Sequence, residues 1–208
     1  MSTYQKLKIK TERTGRCFTL GDSSNEHVWM VFHGYGMTAD KMITKFSNLS
    51  HCYIVAPEGL SRFYWKGFDG PVVASWMTRE DREDEIIDQK VYLNRVVESL
   101  QLQGKKINLL GFSQGVSTML RWIGDSNIIP GKIILWAGDI PSDVNYQEGK
   151  YNDLFYHFVL GTKDEMVTMS MVELRLEALK LQGLTFQLHT FDGGHDLHEE
   201  TITQLFTL

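Results

Sequence analysis

Lys106-Ile107-Asn108-Leu109-Leu110-Gly111-Phe112-Ser113-Gln114-Gly115-Val116 is the stretch on which the fold turns. Ile107, Leu109 and Leu110 make a short apolar run suited to a strand buried on both faces, and Gly111 ends it. Beyond it Val116, Met119, Leu120 and Ile123 fall at i, i+3, i+4 and i+7, one apolar stripe of a helix. Only the few residues around Ser113 remain for the turn. A strand that reverses into a helix this fast holds its middle residue in a strained backbone conformation, at roughly 1–3 kcal/mol, and needs glycine at both flanks to avoid clashes. The bend pushes the Ser113 hydroxyl out at the carboxyl end of a sheet, and the next N–H groups and the positive end of the helix dipole point at the same spot. A nucleophile for acyl transfer belongs in such a place.

The 208 residues, 42% of them hydrophobic, suffice for one well-buried domain, and a single domain over residues 1–208 is expected. Against 21 Lys and Arg stand 26 Asp and Glu, a formal charge of −5 with no basic cluster, so a nucleic-acid partner is not expected. The start Met1-Ser2-Thr3-Tyr4-Gln5-Lys6 has no apolar leader core, and no run reaches the ~18 apolar residues of a membrane span. A cytoplasmic protein without a transmembrane segment is the expectation. Cys17 and Cys52 are isolated, without C-x-x-C spacing, and read as reduced structural thiols.

Outward from the bend, strands and helices alternate. Residues 5–10 and 14–21 carry alternating or β-branched and aromatic residues around Gly15, which predicts an N-terminal edge hairpin. His-Val-Trp-Met-Val-Phe at 27–32 is a strand that ends in His33-Gly34-Tyr35-Gly36. Thr38 is placed to cap a helix with Met42, Ile43, Phe46 and Leu49 inward, and residues 52–56 form the next buried strand. From Leu60 to Thr78 the pattern is irregular and aromatic, an ordered loop rather than disorder. The charge run at 79–85 suits a helix N-terminus, and Leu93, Val96, Val97 and Leu100 supply that helix's apolar face.

After the bend, residues 132–137 and 155–160 read as strands, and residues 140–154 as loop with at most one short helix. Thr168 opens a helix with Met169, Val172, Leu176 and Leu179 inward; residues 184–191 alternate like an edge strand; Ile202, Leu205 and Phe206 mark a last helix. Such alternation predicts an α/β fold, a mainly parallel central sheet with helices on both faces, whose ligands bind at the carboxyl ends of the strands. His33, Ser113, Asp139, Asp164 and His195 all lie just past a predicted strand, whereas His157 and His189 lie inside one.

A serine hydroxyl near neutral pH needs a base in hydrogen-bond reach and a third group to fix that base. Ser113, Asp164 and His195 meet the need in chain order, with Asp139 the other candidate acid and His189 and His198 the other candidate bases. Asp164 is preferred because its strand neighbours the one that carries the histidine. The developing oxyanion needs donors in place beforehand: the N–H of Gln114, and the N–H of Tyr35 turned inward between Gly34 and Gly36. Phe63, Trp65, Trp76 and Met77 in the aromatic loop are the candidate substrate-binding residues.

Four motifs carry a resemblance: His33-Gly34-Tyr35-Gly36, Gly111-Phe112-Ser113-Gln114-Gly115, Gly161-Thr162-Lys163-Asp164 with Val167, and Gly193-Gly194-His195. In that succession the chain resembles the small carboxylesterase/phospholipase branch of the α/β-hydrolase superfamily, which includes acyl-protein thioesterases. The resemblance implies the α/β-hydrolase fold, a triad of Ser113, Asp164 and His195, and an oxyanion hole of the Tyr35 and Gln114 amides. It implies hydrolysis of a small-molecule carboxylic ester or thioester through an acyl-enzyme, with no cofactor and no metal. The chain departs from the branch where Val116 stands in place of a further glycine and where Ser75-Trp76-Met77 lacks a following acid. Two rival readings stand beside it. One is a metal-dependent hydrolase using His189, Asp192, His195, Asp196 and His198, and the other a non-catalytic binding module on the same fold. Oligomeric state is left open.

Overall fold

The computed structural model describes residues 4–151, 154–181 and 183–207. Met1-Ser2-Thr3 of the leader reading, and Asn152 and Asp153 of the 140–154 loop, lie outside the described residues. The strands are β1 (Cys17–Leu20), β2 (His27–Phe32), β3 (Cys52–Pro57), β4 (Ser61–Tyr64), β5 (Val72–Ser75), β6 (Lys106–Phe112), β7 (Ile129–Trp136), β8 (Phe155–Gly161) and β9 (Thr185–Phe191). The helices are α1 (Ala39–Ile43), which runs on as a 3-10 turn (Thr44–Phe46), α2 (Arg82–Ser99), α3 (Gln114–Ile123), α4 (Met169–Leu181) and α5 (Glu199–Thr207). A further 3-10 turn covers Gly149–Tyr151.

Seven strands form one sheet in the order β1-β3-β2-β6-β7-β8-β9, parallel throughout except for β1, which runs antiparallel on β3. The chain starts its parallel part at β2, goes to one side for β3 and returns to the other for β6. The crevice between the carboxyl ends of β2 and β6 is therefore the topological switch point, where such sheets bind ligands. Phe32 pairs with Gly111, so the loop after β2 and the bend after β6 leave the sheet side by side.

Both faces are covered, as the near-continuous apolar strands require. Trp29 of β2 stacks on Phe206 of α5 with ring centroids 3.6 Å apart, while Phe32, an odd number of residues on and so on the other face, packs on Trp122 of α3 at 5.7 Å. Among the described residues no helix is long and apolar enough to cross a membrane. Cys17 and Cys52 are free thiols.

Three expectations need correction. The N-terminal edge hairpin is a single edge strand: only Cys17–Leu20 joins the sheet, and residues 5–10 form no ladder. Their alternation is real, but it serves ion pairs: Lys6 reaches Asp81 and Lys8 reaches Asp84, while Leu7 and Ile9 stay exposed. The aromatic loop holds an antiparallel hairpin, β4 on β5, with Ser61 opposite Ser75 and Tyr64 opposite Val72. Strands of four residues are too short to show a period, which is why the stretch reads as irregular. Thr38 makes no side-chain cap; the Glu58 carboxylate from the end of β3 takes the Ala39 N–H at 3.2 Å instead.

Candidate active site

Between β6 and α3, Ser113 has φ 52° and ψ −118°, a conformation that a non-glycine residue keeps only when its surroundings hold it. Its N–H donates to Trp136 O at 2.8 Å and its carbonyl accepts from Val116 N at 3.0 Å. A Cβ at Gly111 would come within 2.6 Å of Val116 Cα, and one at Gly115 would fall on the Phe32 carbonyl, so both flanks must be bare for the helix to leave here. Ser113 is half-buried, and its Oγ has no hydrogen-bond partner among the described residues.

Asp164 and His195 come from the other end of the sheet. Gly161 pairs with Phe191, so the loops after β8 and β9 start side by side. The Asp164 side chain is fully buried; its Oδ1 accepts from the N–H groups of Met166 (2.8 Å) and Val167 (2.9 Å), which leaves Oδ2 to meet His195 Nδ1 at 2.7 Å. The turn thus fixes which carboxylate oxygen faces the ring, and the ring, donating from Nδ1, presents a bare Nε2 on its far side. The imidazole packs against Phe112, the residue before Ser113, at 5.0 Å between centroids. Trp136 at the end of β7 donates its Nε1–H to Asp196 O at 3.0 Å and so holds the histidine loop over the strands it must cross. Asp139, the other candidate acid, is exposed and paired with Arg175 at 2.8 Å. No hydrogen bond joins Ser113 to His195 among the described residues, a contact that often tightens only around substrate.

The loop after β2 is fixed from below by His33. This ring is wholly buried; its Nε2 accepts from Gly59 N at 2.9 Å, so the proton sits on Nδ1 and is donated to Gly34 O at 2.7 Å. Burial pushes its pKa down to about 4. Above, Gly36 N donates to Ala74 O at 3.0 Å and Met37 bridges to Ala74, which ties the loop to β5. The N–H groups of Tyr35 and Gln114 have no acceptor among the described residues; Gln114, the first residue of α3, has none within its helix either.

The candidate substrate-binding residues part company. Phe63 and Trp65 of the hairpin gather round exposed Tyr35 at 5.5 and 5.8 Å between centroids, and Trp65 lies against Gly36. Trp76 is completely buried, so it cannot line an open pocket: it stacks on His33 at 4.8 Å and donates its Nε1–H to His33 O at 2.7 Å. Met77 is half-buried, and its backbone carbonyl accepts from Gln114 Nε2 at 2.8 Å. The roles of Trp76, Trp136 and the Gln114 side chain were not read from the sequence, since no spacing rule links residues so far apart in the chain.

The histidine-rich tail is dispersed. His189 Nε2 meets His157 Nδ1 at 3.0 Å, His198 meets Thr201 Oγ1 at 3.0 Å, Asp192 pairs with Lys163 and Asp196 with Lys45. No group of three or more potential metal ligands forms among the described residues.

The profile of the phospholipase/carboxylesterase family matches residues 19–207, which takes in all of these features. The chain belongs to that family. This phospholipase/carboxylesterase resembles several solved structures in fold. With esterase PE8 it shares 20% identity over 94% of this chain and 97% of that one, at a TM-score of 0.70. A phospholipase/carboxylesterase from Dyadobacter fermentans gives 18%, 95% and 97% at 0.66, and an acyl-protein thioesterase 2 from Zea mays gives 17%, 93% and 97% at 0.62. No curated protein sequence matches the chain. Family membership makes it a hydrolase of the carboxylesterase type acting on small-molecule esters, and the parallel sheet flanked by helices is the α/β-hydrolase fold.

Proposed function

We propose that the protein cleaves a carboxylic ester or thioester through an acyl-enzyme on Ser113, with His195 as base and acid and Asp164 as the orienting carboxylate. The observation that carries this reading is the 2.7 Å bond from His195 Nδ1 to buried Asp164, with the ring packed on Phe112, the residue before the strained serine. Ser113 Oγ attacks the acyl carbon while its proton passes to His195 Nε2. Charge gathers on the carbonyl oxygen, where the Tyr35 and Gln114 N–H groups donate. The intermediate collapses, the alcohol or thiol leaves with the proton from His195, and the acyl group stays on Ser113. Water then gives a proton to His195 Nε2 as its oxygen attacks the ester carbon, and the second intermediate collapses to the free acid while His195 returns that proton to Ser113 Oγ. Phe63, Trp65 and Met77 supply apolar surface for the substrate; the thioester alternative draws on the resemblance to the maize thioesterase.

The test is a panel of p-nitrophenyl esters of increasing acyl length on the wild type and Ser113→Ala, with fluorophosphonate labelling alongside. Wild-type turnover and labelling that both vanish in the variant are expected, a loss of at least about 10⁴-fold. Full activity of Ser113→Ala toward every ester would overturn the mechanism; wild-type protein that neither turns over nor labels would instead favour a binding module.

A further inference from the structure

The two N–H groups assigned above to the oxyanion sit on separate elements, the β2–α1 loop and the start of α3, so something must set the gap between them. Both lead to one segment, Ala74–Met77. From the first side, Gly36 N donates to Ala74 O (3.0 Å) and His33 O accepts from Trp76 Nε1 (2.7 Å). From the second, the Gln114 side chain spends its whole amide on the same segment: Oε1 accepts from Trp76 N (3.0 Å) and Ser75 Oγ (3.3 Å), and Nε2 donates to Met77 O (2.8 Å). An amide that gives and accepts at once on fixed backbone groups fits in one orientation only. The residue whose N–H would face the oxyanion is thereby anchored by its own side chain to the frame that carries the other donor.

We propose that the Gln114 side chain is a positioning residue that sets the distance between the two oxyanion donors, a role that rests on the acyl-enzyme reading above. Its contribution falls on the transition state, because a carbonyl oxygen needs both donors at their final spacing only when it becomes an oxyanion. Phe63 and Trp65 stay on the hairpin and Tyr35 on its own loop, so ground-state binding of the acyl and alcohol parts is left nearly as it was. A carboxyl in the place of the amide is a chemical switch. Protonated, it can accept from Trp76 N and donate to Met77 O as glutamine does; ionised, it sets a negative oxygen against the Met77 carbonyl.

The experiment compares Gln114→Met, of similar length without hydrogen bonds, and Gln114→Glu with the wild type on a short-acyl p-nitrophenyl ester. Gln114→Met should lose about 10–100-fold in kcat with KM within about twofold. For Gln114→Glu the readout is activity divided by that of the wild type at each pH, which should rise at least about fivefold from pH 8 to pH 5.5. The charged and titratable groups around the segment are Glu85 at Thr78, Arg121 at Met77 with its partner Asp143, Lys90 lining the same small cavity as Met77, and His33 beneath Trp76 with the Glu58 charge near it; the His195–Asp164 pair titrates in the reaction itself. They are common to both proteins, so the ratio isolates the new carboxyl. Wild-type kcat in Gln114→Met, a loss confined to KM, or a ratio that stays flat with pH would each overturn the proposal, and the Glu variant decides should the Met variant fail to fold. Failure of the parent mechanism is told apart by the serine control: there Ser113→Ala keeps its activity, whereas here it is dead and only the glutamine variants are unaffected.

Discussion

The two sides of the candidate site are held in different ways. Asp164 and His195 leave neighbouring parallel strands, and a two-residue turn plus one charge-supported bond orient them. Tyr35, Phe63 and Trp65 stand on a loop and a short hairpin that are tied to each other through Ala74 and rest on side chains from elsewhere, His33 below and Trp76 behind. The first side is determined by backbone register and admits little variation. The second is a face attached to that frame, free to change its outward residues while its inward ones are fixed. Chemistry built on the first can therefore stay constant while the substrate preference of the second drifts.

The largest effect expected is on the register-built side. In Asp164→Asn the turn still calls for an oxygen acceptor toward Met166 N and Val167 N, so the amide NH₂ is the group left facing His195 Nδ1. The ring must then accept at Nδ1 and carry its proton on Nε2, where it cannot take one from Ser113. We expect kcat to fall about 10⁴-fold with the fold unchanged by circular dichroism. Activity within tenfold of the wild type would mean that the buried pair is structural.

The same division governs what could be read in advance. The bend at Ser113 is legible because an apolar run, two glycines and a helical stripe follow one another without a gap, each of them a local signal. Asp164 is preferred over Asp139 by strand adjacency as well as by the resemblance, and the pairing of Gly161 with Phe191 is that adjacency. The hairpin is not legible in this way. Its partner residues lie across a turn of varied backbone, with Lys66 and Gly67 both at positive φ, and its anchors are tens of residues distant. Residues 5–10 mislead for the opposite reason, since their alternation is local and correct but no neighbouring strand is there to receive it.

Trp76 and Trp65 put the contrast within one hairpin at a middle scale. Trp76→Ala removes a fully buried indole that covers His33 and holds its carbonyl, and should cost about 3–5 kcal/mol of stability by chemical denaturation. Trp65 is about a third exposed (36%), and Trp65→Ala should cost no more than about 1 kcal/mol while raising KM for the longer-acyl esters roughly tenfold. The reverse order of stabilities would mean that the outward aromatics, and not the inward one, hold the hairpin.

The last effect is set by acid and falls on stability alone. His33 is depressed to about 4 in the folded protein from an ordinary value of 6.5, chiefly by burial, with the Gly34 bond and the nearby Glu58 charge pulling the other way. The unfolded chain therefore takes up a proton that the folded one refuses. This contribution to stability is complete above pH 6.5 and is lost as pH falls toward 4, by about 2 kcal/mol at pH 5. His157, also lowered to about 4 by burial and by its neighbours His189 and Lys132, has the same sign, but its partial exposure lets solvent weaken the effect. Denaturation at pH 7 and pH 5 separates the two regions. His33→Gln, which offers a donor and an acceptor without titrating, should lose most of the wild-type difference between the two pH values, and His157→Gln a smaller part of it. If His33→Gln keeps the whole difference, acid acts at the strand edge where His157 meets His189, and the loop that carries Tyr35 is not the part of the site that proton uptake loosens first.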